Sequence, residues 1–208
     1  MAKQGNKQIA VLISGRGSNM ISLCKGVAGG TIPNADVGVV ISDKHTAGGL
    51  ALAAERGIAT TVIERRGRSR DKHEREILET LMKLEIDVVC LAGYMRLLSK
   101  CFIETFPGQI LNIHPSLLPA FSGLDAQRQA LEHGVKWTGC TVHFVDDSLD
   151  GGPIIAQRVV PVLDGDTIES LSTRILEQEH VLYPEAVKVV IEGRYEILGR
   201  RVITPLLK

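Results

Sequence analysis

Short apolar runs alternate with helix-forming segments through the first half of the 208-residue chain, and this alternation limits its fold more than any other feature. Runs such as QIAVLI at 8–13 are almost wholly apolar, which is typical of strands buried on both faces. The predicted strands span 8–13, 37–41, 60–63, 88–92 and 110–113, with helices between them at 20–27, 49–56, 70–84 and 99–105. Right-handed crossovers through such helices produce a parallel sheet covered on both faces.

The pattern changes after Pro119, where a helix at 125–133 precedes two strands of more alternating hydrophobicity, 139–145 and 154–160. Strands of this kind are typical of a mixed sheet. Asp166 and Glu169 are predicted to form a capping box that opens a long helix ending near residue 192. The tail is predicted to form a small hairpin from 195–197 and 201–203.

These elements predict one α/β domain over residues 1–208. It is Rossmann-like, with a mostly parallel central sheet, helices on both faces and mixed C-terminal strands. The domain divides into a first half from about 8 to 110, a second half from about 111 to 192 and a tail at 193–208.

Charge and composition exclude several classes of protein. Lys plus Arg and Asp plus Glu both number 24, so the chain lacks the basic excess of a nucleic-acid-binding protein. It has no secretory-signal core and no apolar run of membrane length, and its 4 cysteines lack metal-like spacing and are expected to be buried thiols. A cytoplasmic protein that binds neither nucleic acid nor a membrane follows. One basic cluster is either a solvated loop or a contact for an anionic ligand: Arg65, Arg66, Arg68 and Arg70.

A glycine-rich loop, Gly-Arg-Gly-Ser-Asn at 15–19, lies between the first predicted strand and the first helix. Backbone N–H groups and the helix dipole at such a loop bind anions. The loop begins like a dinucleotide-binding fingerprint, but Met20 replaces its third glycine and no Gly-Lys-Ser/Thr sequence is present. We therefore predict a site for one phosphate, with Asp43 after the second strand as a possible counterpart of the ribose-binding acid.

A polar pair occurs at the end of the last parallel strand. Asn112 and His114 are two residues apart in a strand that Pro115 ends, so both side chains share a face while Ile113 points into the core. Asp150 begins a second turn, Asp-Gly-Gly-Pro. The three groups suit acyl chemistry, with the amide stabilising an oxyanion, the imidazole moving or holding a proton and the carboxylate supporting the imidazole. Taken singly, each piece is more typical of a structural strand end or an ordinary turn than of a catalytic site.

Other modes of catalysis lack support in the sequence. The chain has no Gly-x-Ser-x-Gly nucleophile turn and no cysteine in an activating motif, so the nucleophile should come from a substrate. His114, His143 and Asp150 are possible metal ligands, but no i,i+4 histidine pair or Cys/His cluster accompanies them. We expect no bound metal.

Five motifs resemble, in the same order along the chain, those of the phosphoribosylglycinamide formyltransferase family, the glycinamide ribonucleotide transformylases of purine synthesis. They are Ser14-Gly-Arg-Gly-Ser-Asn19, Leu91-Ala-Gly-Tyr-Met-Arg96, Leu111-Asn-Ile-His-Pro-Ser-Leu-Leu-Pro119, Asp150-Gly-Gly-Pro153 and Gln178-Glu-His180. The resemblance covers residues from about 8 to 192. It implies that the first half binds phosphate or a nucleotide and that the second half is catalytic and binds folate. It also implies an enzyme that moves the formyl group of 10-formyltetrahydrofolate to the glycine amine of glycinamide ribonucleotide by direct attack.

The resemblance also implies a role for each matching position. The implied catalytic residues are Asn112, His114 and Asp150. The first half would hold the ribonucleotide through Gly17, Ser18 and Asn19 at its phosphate and Glu179 at its glycinamide end. The folate donor would contact Arg70, Met95, Arg96, Leu97, Leu98, Asn112, Asp146, Asp147 and Asp150. Both substrates are thus expected partners, no metal is required, and the protein is expected to be a monomer or a homodimer.

The sequence departs from the family pattern at residues 120–127. It reads Ala-Phe-Ser-Gly-Leu-Asp-Ala-Gln, where family members often carry a stretch like Lys-Tyr-Pro-Gly-Leu-His-Thr-His. Asp125 therefore replaces an imidazole that lies near the site in those relatives. This difference is expected to affect closure of the loop, the pH optimum and the reaction rate. The three implied catalytic residues, Asn112, His114 and Asp150, match the family pattern.

Three alternatives are open. A formyltetrahydrofolate hydrolase shares the catalytic half and uses water as nucleophile, but it usually carries an N-terminal regulatory domain, and the first strand here is predicted at about residue 8. A methionyl-tRNA formyltransferase is expected to need a C-terminal RNA-binding domain. A non-catalytic nucleotide-binding protein explains the glycine loop but leaves the trio unused.

Overall fold

A sheet of nine strands forms the centre of the computed structural model, which describes residues 5–204. In chain order the strands of this part are β1 (Lys7–Ile13), β2 (Ala35–Ser42), β3 (Thr60–Val62), β4 (Val88–Leu91), β5 (Ile110–His114), β6 (Trp137–Phe144), β7 (Ile154–Pro161), β8 (Glu196–Leu198) and β9 (Arg201–Ile203). The helices are α1 (Ser18–Ala28), α2 (Gly48–Ala54), α3 (Arg70–Lys83), α4 (Lys100–Thr105), α5 (Ala126–Glu132) and α6 (Ile168–Glu192).

The first five strands form the parallel part of the sheet. The strand order is β3-β2-β1-β4-β5-β6-β7-β9-β8, so the chain starts at β1, adds strands to one side, and then crosses over to the other. Strand β1 pairs in parallel with β2 and β4, and β4 pairs in parallel with β5. The predicted Rossmann-like arrangement is confirmed, and its crossover point lies between β1 and β4, where open α/β sheets bind ligands.

The second half adds antiparallel strands, as the change in hydrophobic pattern predicted. Strand β6 runs antiparallel to β5, and β7 runs antiparallel to β6. The tail forms the predicted hairpin of β8 and β9. Sequence alone did not indicate that β9 pairs with β7 and thereby extends the central sheet.

Two apolar cores lie on opposite faces of the sheet, because successive residues of a strand point to opposite sides. Leu111 and Ile113 pack on one face with residues of α1, α2, α5 and α6. Ile110 packs on the other face with residues of α3 and α4. Since Asn112 and His114 share the face of Ile110, they lie on the side that α3 and α4 cover.

Two details of the sequence-based interpretation are wrong. The capping box of α6 joins Thr167 to Ser170, and not Asp166 to Glu169, because Asp166 instead binds Arg174 through two hydrogen bonds of 2.7 and 2.8 Å. Cys101 is exposed on α4, whereas the other three cysteines are buried as expected. No helix within residues 5–204 is long and apolar enough to cross a membrane.

Candidate active site

The β6–β7 connection brings Asp150 to His114. This connection leaves the sheet beside the first residue of β5, where the Val145 N–H donates to the carbonyl of Ile110. It then folds back so that Asp150 Oδ2 lies 3.4 Å from His114 Nδ1, and both side chains are almost fully buried. Sequence predicted both residues as part of one site, and the structure brings them together across 36 positions of sequence.

The second nitrogen of the His114 ring is held by the loop that follows β5. His114 Nε2 donates to the Phe121 carbonyl at 2.8 Å, because a carbonyl oxygen can only accept. The Gly123 N–H from the same loop donates to Asp150 Oδ2 at 2.8 Å. The ring is therefore clamped between the carboxylate and the loop, and a ring protonated on both nitrogens would carry its positive charge beside Asp150.

His143 completes the arrangement, and its role was missed by sequence reasoning, which weighed it only as a metal ligand. It lies directly across from Asn112 on β6, and its Nδ1 donates to the Phe144 carbonyl at 2.8 Å. Burial lowers the pKa of the His143 imidazole, so the ring is neutral and Nε2 accepts a hydrogen bond of 3.2 Å from Asn112 Nδ2. This bond uses one of the two N–H donors of the Asn112 amide.

The missing signal for His143 was strand register. A histidine inside an apolar strand gives no sign of its neighbour until the antiparallel pairing of β5 and β6 is known. The altered segment at 120–127 contributes backbone groups to the site, whereas the Asp125 side chain is exposed and does not cap α5. Asp125 itself has a left-handed φ of 56°.

The glycine loop is packed tightly against the start of α2. Gly17 has φ +78°, and a Cβ added to it would lie 2.7 Å from Cα of Gly49. Any other residue at 17 would be strained in its backbone and would push these segments apart. The N–H groups that follow Gly17 begin α1 and are free to meet an anion at the positive end of its dipole.

Asn19 and Glu179, which the sequence placed at opposite ends of one substrate, are joined in the structure. Asn19 Nδ2 donates to Glu179 Oε2 at 2.7 Å, and both residues are buried between α1 and α6. Burial raises the pKa of the Glu179 carboxyl, and the hydrogen bond from Asn19 offsets part of this effect. Asn19 Oδ1 is buried with no partner among the described residues, which leaves one acceptor at this junction unsatisfied.

Glu179→Gln is expected to stabilise the fold at pH 8 more than at pH 4. Because the folded pKa of Glu179 is raised, the wild-type protein loses stability as the pH rises through that pKa, whereas the amide does not ionise. Thermal unfolding of both proteins between pH 4 and 8 measures the effect as a difference in Tm that grows with pH. A difference that stays constant across this range would show that ionisation of Glu179 carries no such cost.

The predicted folate-contacting segment after β4 is anchored at both ends. The Met95 N–H donates to Ser14 Oγ of the glycine loop at 3.0 Å. Arg70 donates through Nη2 to the Leu97 carbonyl at 2.9 Å and through Nε to Glu74 at 3.0 Å. Arg70 thus holds the segment in place, and Leu98 is partly buried against the core.

Arg96 turns away from this segment toward Asp43. Its Nε lies 3.0 Å from Asp43 Oδ2, and the Asp43 side chain is fully buried. Asp43 Oδ2 is therefore engaged by Arg96, whereas Asp43 Oδ1 is buried with no hydrogen-bond partner among the described residues. Two members of the basic cluster are similarly paired, Arg68 with Glu76 and Arg70 with Glu74.

Exposed apolar side chains lie on the segment after β4 and on the two loops that meet beside His114. Met95 and Leu97, at predicted folate positions, are 61% and 68% exposed. Leu124 and Leu149, which sequence reasoning missed, are 78% and 56% exposed, and Leu149 lies near Gly123 beside the loop that clamps His114. Exposed apolar side chains grouped near polar chemistry are typical of a ligand-binding surface.

The remaining predicted positions lie in the β6–β7 connection. Asp146 Oδ1 accepts from the Ser148 N–H at 2.9 Å and so shapes the turn, whereas Asp147 is exposed. Asp150 has a left-handed φ of 50° and ends this turn. Within residues 5–204 no group of three or more His, Cys, Asp or Glu side chains is arranged to hold a metal ion.

Fold and site together define a class of protein. A Rossmann-like sheet carries a glycine loop at the start of α1 and a cluster of Asn112, His114, His143 and Asp150, an arrangement suited to an acyl-transferring α/β enzyme. Comparison with known proteins gives the particular family. The formyl transferase family matches residues 7–187, and the chain belongs to it.

Similar proteins share both sequence and structure with the chain. Phosphoribosylglycinamide formyltransferase of Escherichia coli is 44% identical over 190 residues, which cover 91% of this chain and 89% of the relative. The crystal structure of glycinamide ribonucleotide transformylase 1 from Symbiobacterium toebii has a TM-score of 0.94 and 50% identity, and the match covers 97% of this chain and 95% of that one.

Two further comparisons define the limits of this similarity. The chain spans only 14–19% of the length of the animal trifunctional purine biosynthetic proteins adenosine-3 that it matches. A formyltetrahydrofolate deformylase from Pseudomonas syringae has a TM-score of 0.90 but 25% identity, with 97% of this chain and 66% of that one covered. The deformylase is thus a more distant relative than the two transformylases.

Proposed function

We propose that the protein transfers the formyl group of 10-formyltetrahydrofolate to the glycine amine of glycinamide ribonucleotide in purine biosynthesis. One observation carries the proposal: the Asn112–His143 and His114–Asp150 contacts form a polar cluster with no protein nucleophile on a sheet that also carries an anion-binding loop. The two transformylase relatives support the same assignment. Such a site brings two substrates together and supplies charge stabilisation.

In the proposed reaction the substrate amine attacks the formyl carbon directly. A carbon–nitrogen bond forms as the carbonyl π electrons move to oxygen. Asn112 donates its free N–H to that oxyanion, and the charge of a protonated His114 ring stabilises it. Collapse of the tetrahedral intermediate breaks the bond to the folate nitrogen, which leaves with a proton, while the attacking amine loses one. His114 takes part in this proton transfer, and Asp150 holds the ring and balances its charge.

The folate donor fits the segment anchored by Ser14 and Arg70. Its flat ring system would meet the exposed apolar side chains of Met95, Leu97 and Leu149, while the backbone of the segment offers hydrogen-bonding groups. The ribonucleotide would place its phosphate at the start of α1 and its amine toward Glu179. We propose these substrate contacts from the family resemblance and from the positions of the side chains.

The proposed function predicts that tetrahydrofolate is released only when both substrates are present. The measurement follows folate absorbance with 10-formyltetrahydrofolate alone and after addition of the ribonucleotide. Release that proceeds equally fast without the ribonucleotide, with formate as product, would replace the transferase with the deformylase alternative. The amine of the ribonucleotide, and not water, is expected to be the acceptor because Glu179 and the glycine loop form a site for it.

Gly17→Val is expected to weaken ribonucleotide binding strongly and to leave folate binding nearly unchanged. The added side chain would meet Gly49 at 2.7 Å from its first carbon and would strain a backbone with φ +78°. Calorimetry with each ligand measures the two affinities separately. Gly48→Val is the matched control, since a Cβ there meets nothing within 4 Å. An equal loss of both ligands in a folded Gly17→Val protein would mean that the loop is structural.

A further inference from the structure

A row of polar side chains crosses three strands beside the catalytic cluster. His114 on β5 pairs with Thr141 on β6, and Thr141 pairs with Gln157 on β7. Directly opposed residues of antiparallel strands point to the same face of the sheet, so the three side chains form one row. Thr141 is fully buried, and its hydroxyl therefore needs hydrogen-bond partners inside the protein.

The hydroxyl of Thr141 uses its full hydrogen-bonding capacity. Its Oγ1 donates to the Ser116 carbonyl at 2.7 Å and accepts from the Leu118 N–H at 3.1 Å. It also accepts from Gln157 Nε2 at 2.9 Å, and the same amide group donates to the Leu118 carbonyl at 3.0 Å. A hydroxyl has one proton and two acceptor lone pairs, so all three are engaged and its orientation is fixed.

The loop of residues 115–123 connects this attachment to the catalytic groups. Within the loop, Ser116 Oγ donates to the Ala120 carbonyl at 2.5 Å. The carbonyl at position 121 then accepts from His114 Nε2, and the N–H at position 123 donates to Asp150. One end of the loop is thus bound to the sheet by Thr141, and the other end holds both ionisable members of the cluster.

The loop also packs directly on the backbone of β6. A Cβ added to Gly139 would lie 2.8 Å from Cδ2 of Leu117 and 1.9 Å from the Arg158 carbonyl oxygen. Glycine at this position lets the loop approach the strand closely. Since Gly139 and Thr141 are two residues apart on one face of β6, an apolar contact and a set of hydrogen bonds fix the loop at successive positions.

We propose that Thr141 is a positioning residue for formyl transfer, with Gln157 as its outer support. By fixing the loop, Thr141 holds the carbonyl that keeps a proton of His114 on Nε2, and Nδ1 then faces Asp150. A polar network in which every group is satisfied makes a site rigid. The effect on turnover rests on the proposed function, whereas the effect on the His114 ring does not.

Thr141→Val is expected to lower kcat roughly 10- to 100-fold while the dissociation constants of both substrates change little, because a small displacement of a catalytic group costs rate. Valine keeps the shape but cannot bind the loop. In the same protein without substrates, the Nε2–H proton resonance of His114 in NMR spectra, assigned with His114→Gln, should shift or disappear. Thr141→Ser keeps the hydroxyl and should restore both properties. Gln157→Met should give a smaller loss, since Thr141 keeps its two bonds to the loop.

Thr138→Val is the matched control for this substitution. Thr138 is also buried on β6, but its Oγ1 has no hydrogen-bond partner within the described part of the chain. The same change at this position should therefore leave kcat and the His114 resonance at their wild-type values. Thermal unfolding of every variant gives its Tm, so that kinetics and spectra are recorded on folded protein.

Two results would overturn the inference. The first is a folded Thr141→Val protein with wild-type kcat and a wild-type His114 resonance, which would make the hydroxyl purely structural. The second is an equal loss of kcat in Thr138→Val, or a loss that Thr141→Ser does not recover.

A separate variant keeps the test decisive if Thr141→Val does not fold. Gln157 is the exposed end of the row, and an unchanged kcat and His114 resonance in Gln157→Met would then overturn the inference. A wild-type protein that transfers no formyl group would refute the proposed function instead. The His114 resonance, which needs no substrate, would still test the positioning role of Thr141.

Discussion

Replacing Asp150 by asparagine is expected to lower the turnover number by on the order of 100- to 10,000-fold, the range typical of lost acid–base function. The carboxylate meets three partners at once: the Gly123 N–H at 2.8 Å, His114 Nδ1 at 3.4 Å and His143 Nε2 at 3.8 Å. Asparagine keeps the shape but removes the charge and one acceptor. The positive charge that His114 would carry in the transition state is then no longer balanced.

The measurement compares kcat and KM of Asp150→Asn with those of the wild type and of Asp164→Asn. Asp164 is a matched control because its carboxylate is exposed and pairs only with Lys136 at 2.7 Å. Turnover of the control should equal that of the wild type. Near-normal turnover in Asp150→Asn would show that Asp150 is not catalytic and only shapes the loop.

Asn112→Ala is expected to reduce kcat by at least ~100- to 1000-fold, the usual cost of losing one oxyanion donor. Asn112 donates one N–H to His143 Nε2 at 3.2 Å, and in the proposed reaction its second N–H would donate to the oxyanion. Since that charge exists mainly in the transition state, the dissociation constants of both substrates should change little.

Binding and single-turnover measurements on the same Asn112→Ala sample test this separation. Asn6→Ala provides a control, because Asn6 is exposed before β1 and far from the site in the fold. If Asn112→Ala weakened ligand binding as much as it lowered turnover, the amide would be a ground-state contact. His114 alone would then stabilise the oxyanion.

The site shows where sequence reasoning succeeds. Period-two alternation placed Asn112 and His114 on one face and Ile113 on the other, and the structure has them there because a strand offers only two directions. The glycine loop was also predictable from sequence, because glycine between a strand and a helix allows the left-handed φ that Gly17 adopts. Both features are local, and local sterics fix them before any tertiary contact forms.

Other parts of the site depend on long-range packing and gave no local signal. The partner of Asn112 is set by the register of β5 against β6, and Glu179 meets Asn19 only because α6 packs on α1. Leu124 and Leu149 lie in two different connections, which meet where the Gly123 N–H donates to Asp150. The observed capping box begins one residue later than predicted, because the Asp166 carboxylate binds Arg174 instead.

The sequence by itself determined the alternation of strands and helices, the parallel first half and the glycine loop after β1, and it placed Asn112 and His114 on one face of β5. These follow from hydrophobic periodicity and backbone sterics, which act over a few residues. Only the tertiary structure decided that His143 binds the Asn112 amide and that backbone groups at 121 and 123 clamp His114 and Asp150. Those contacts join residues far apart in the chain, and their geometry exists only once the sheet and helices have packed.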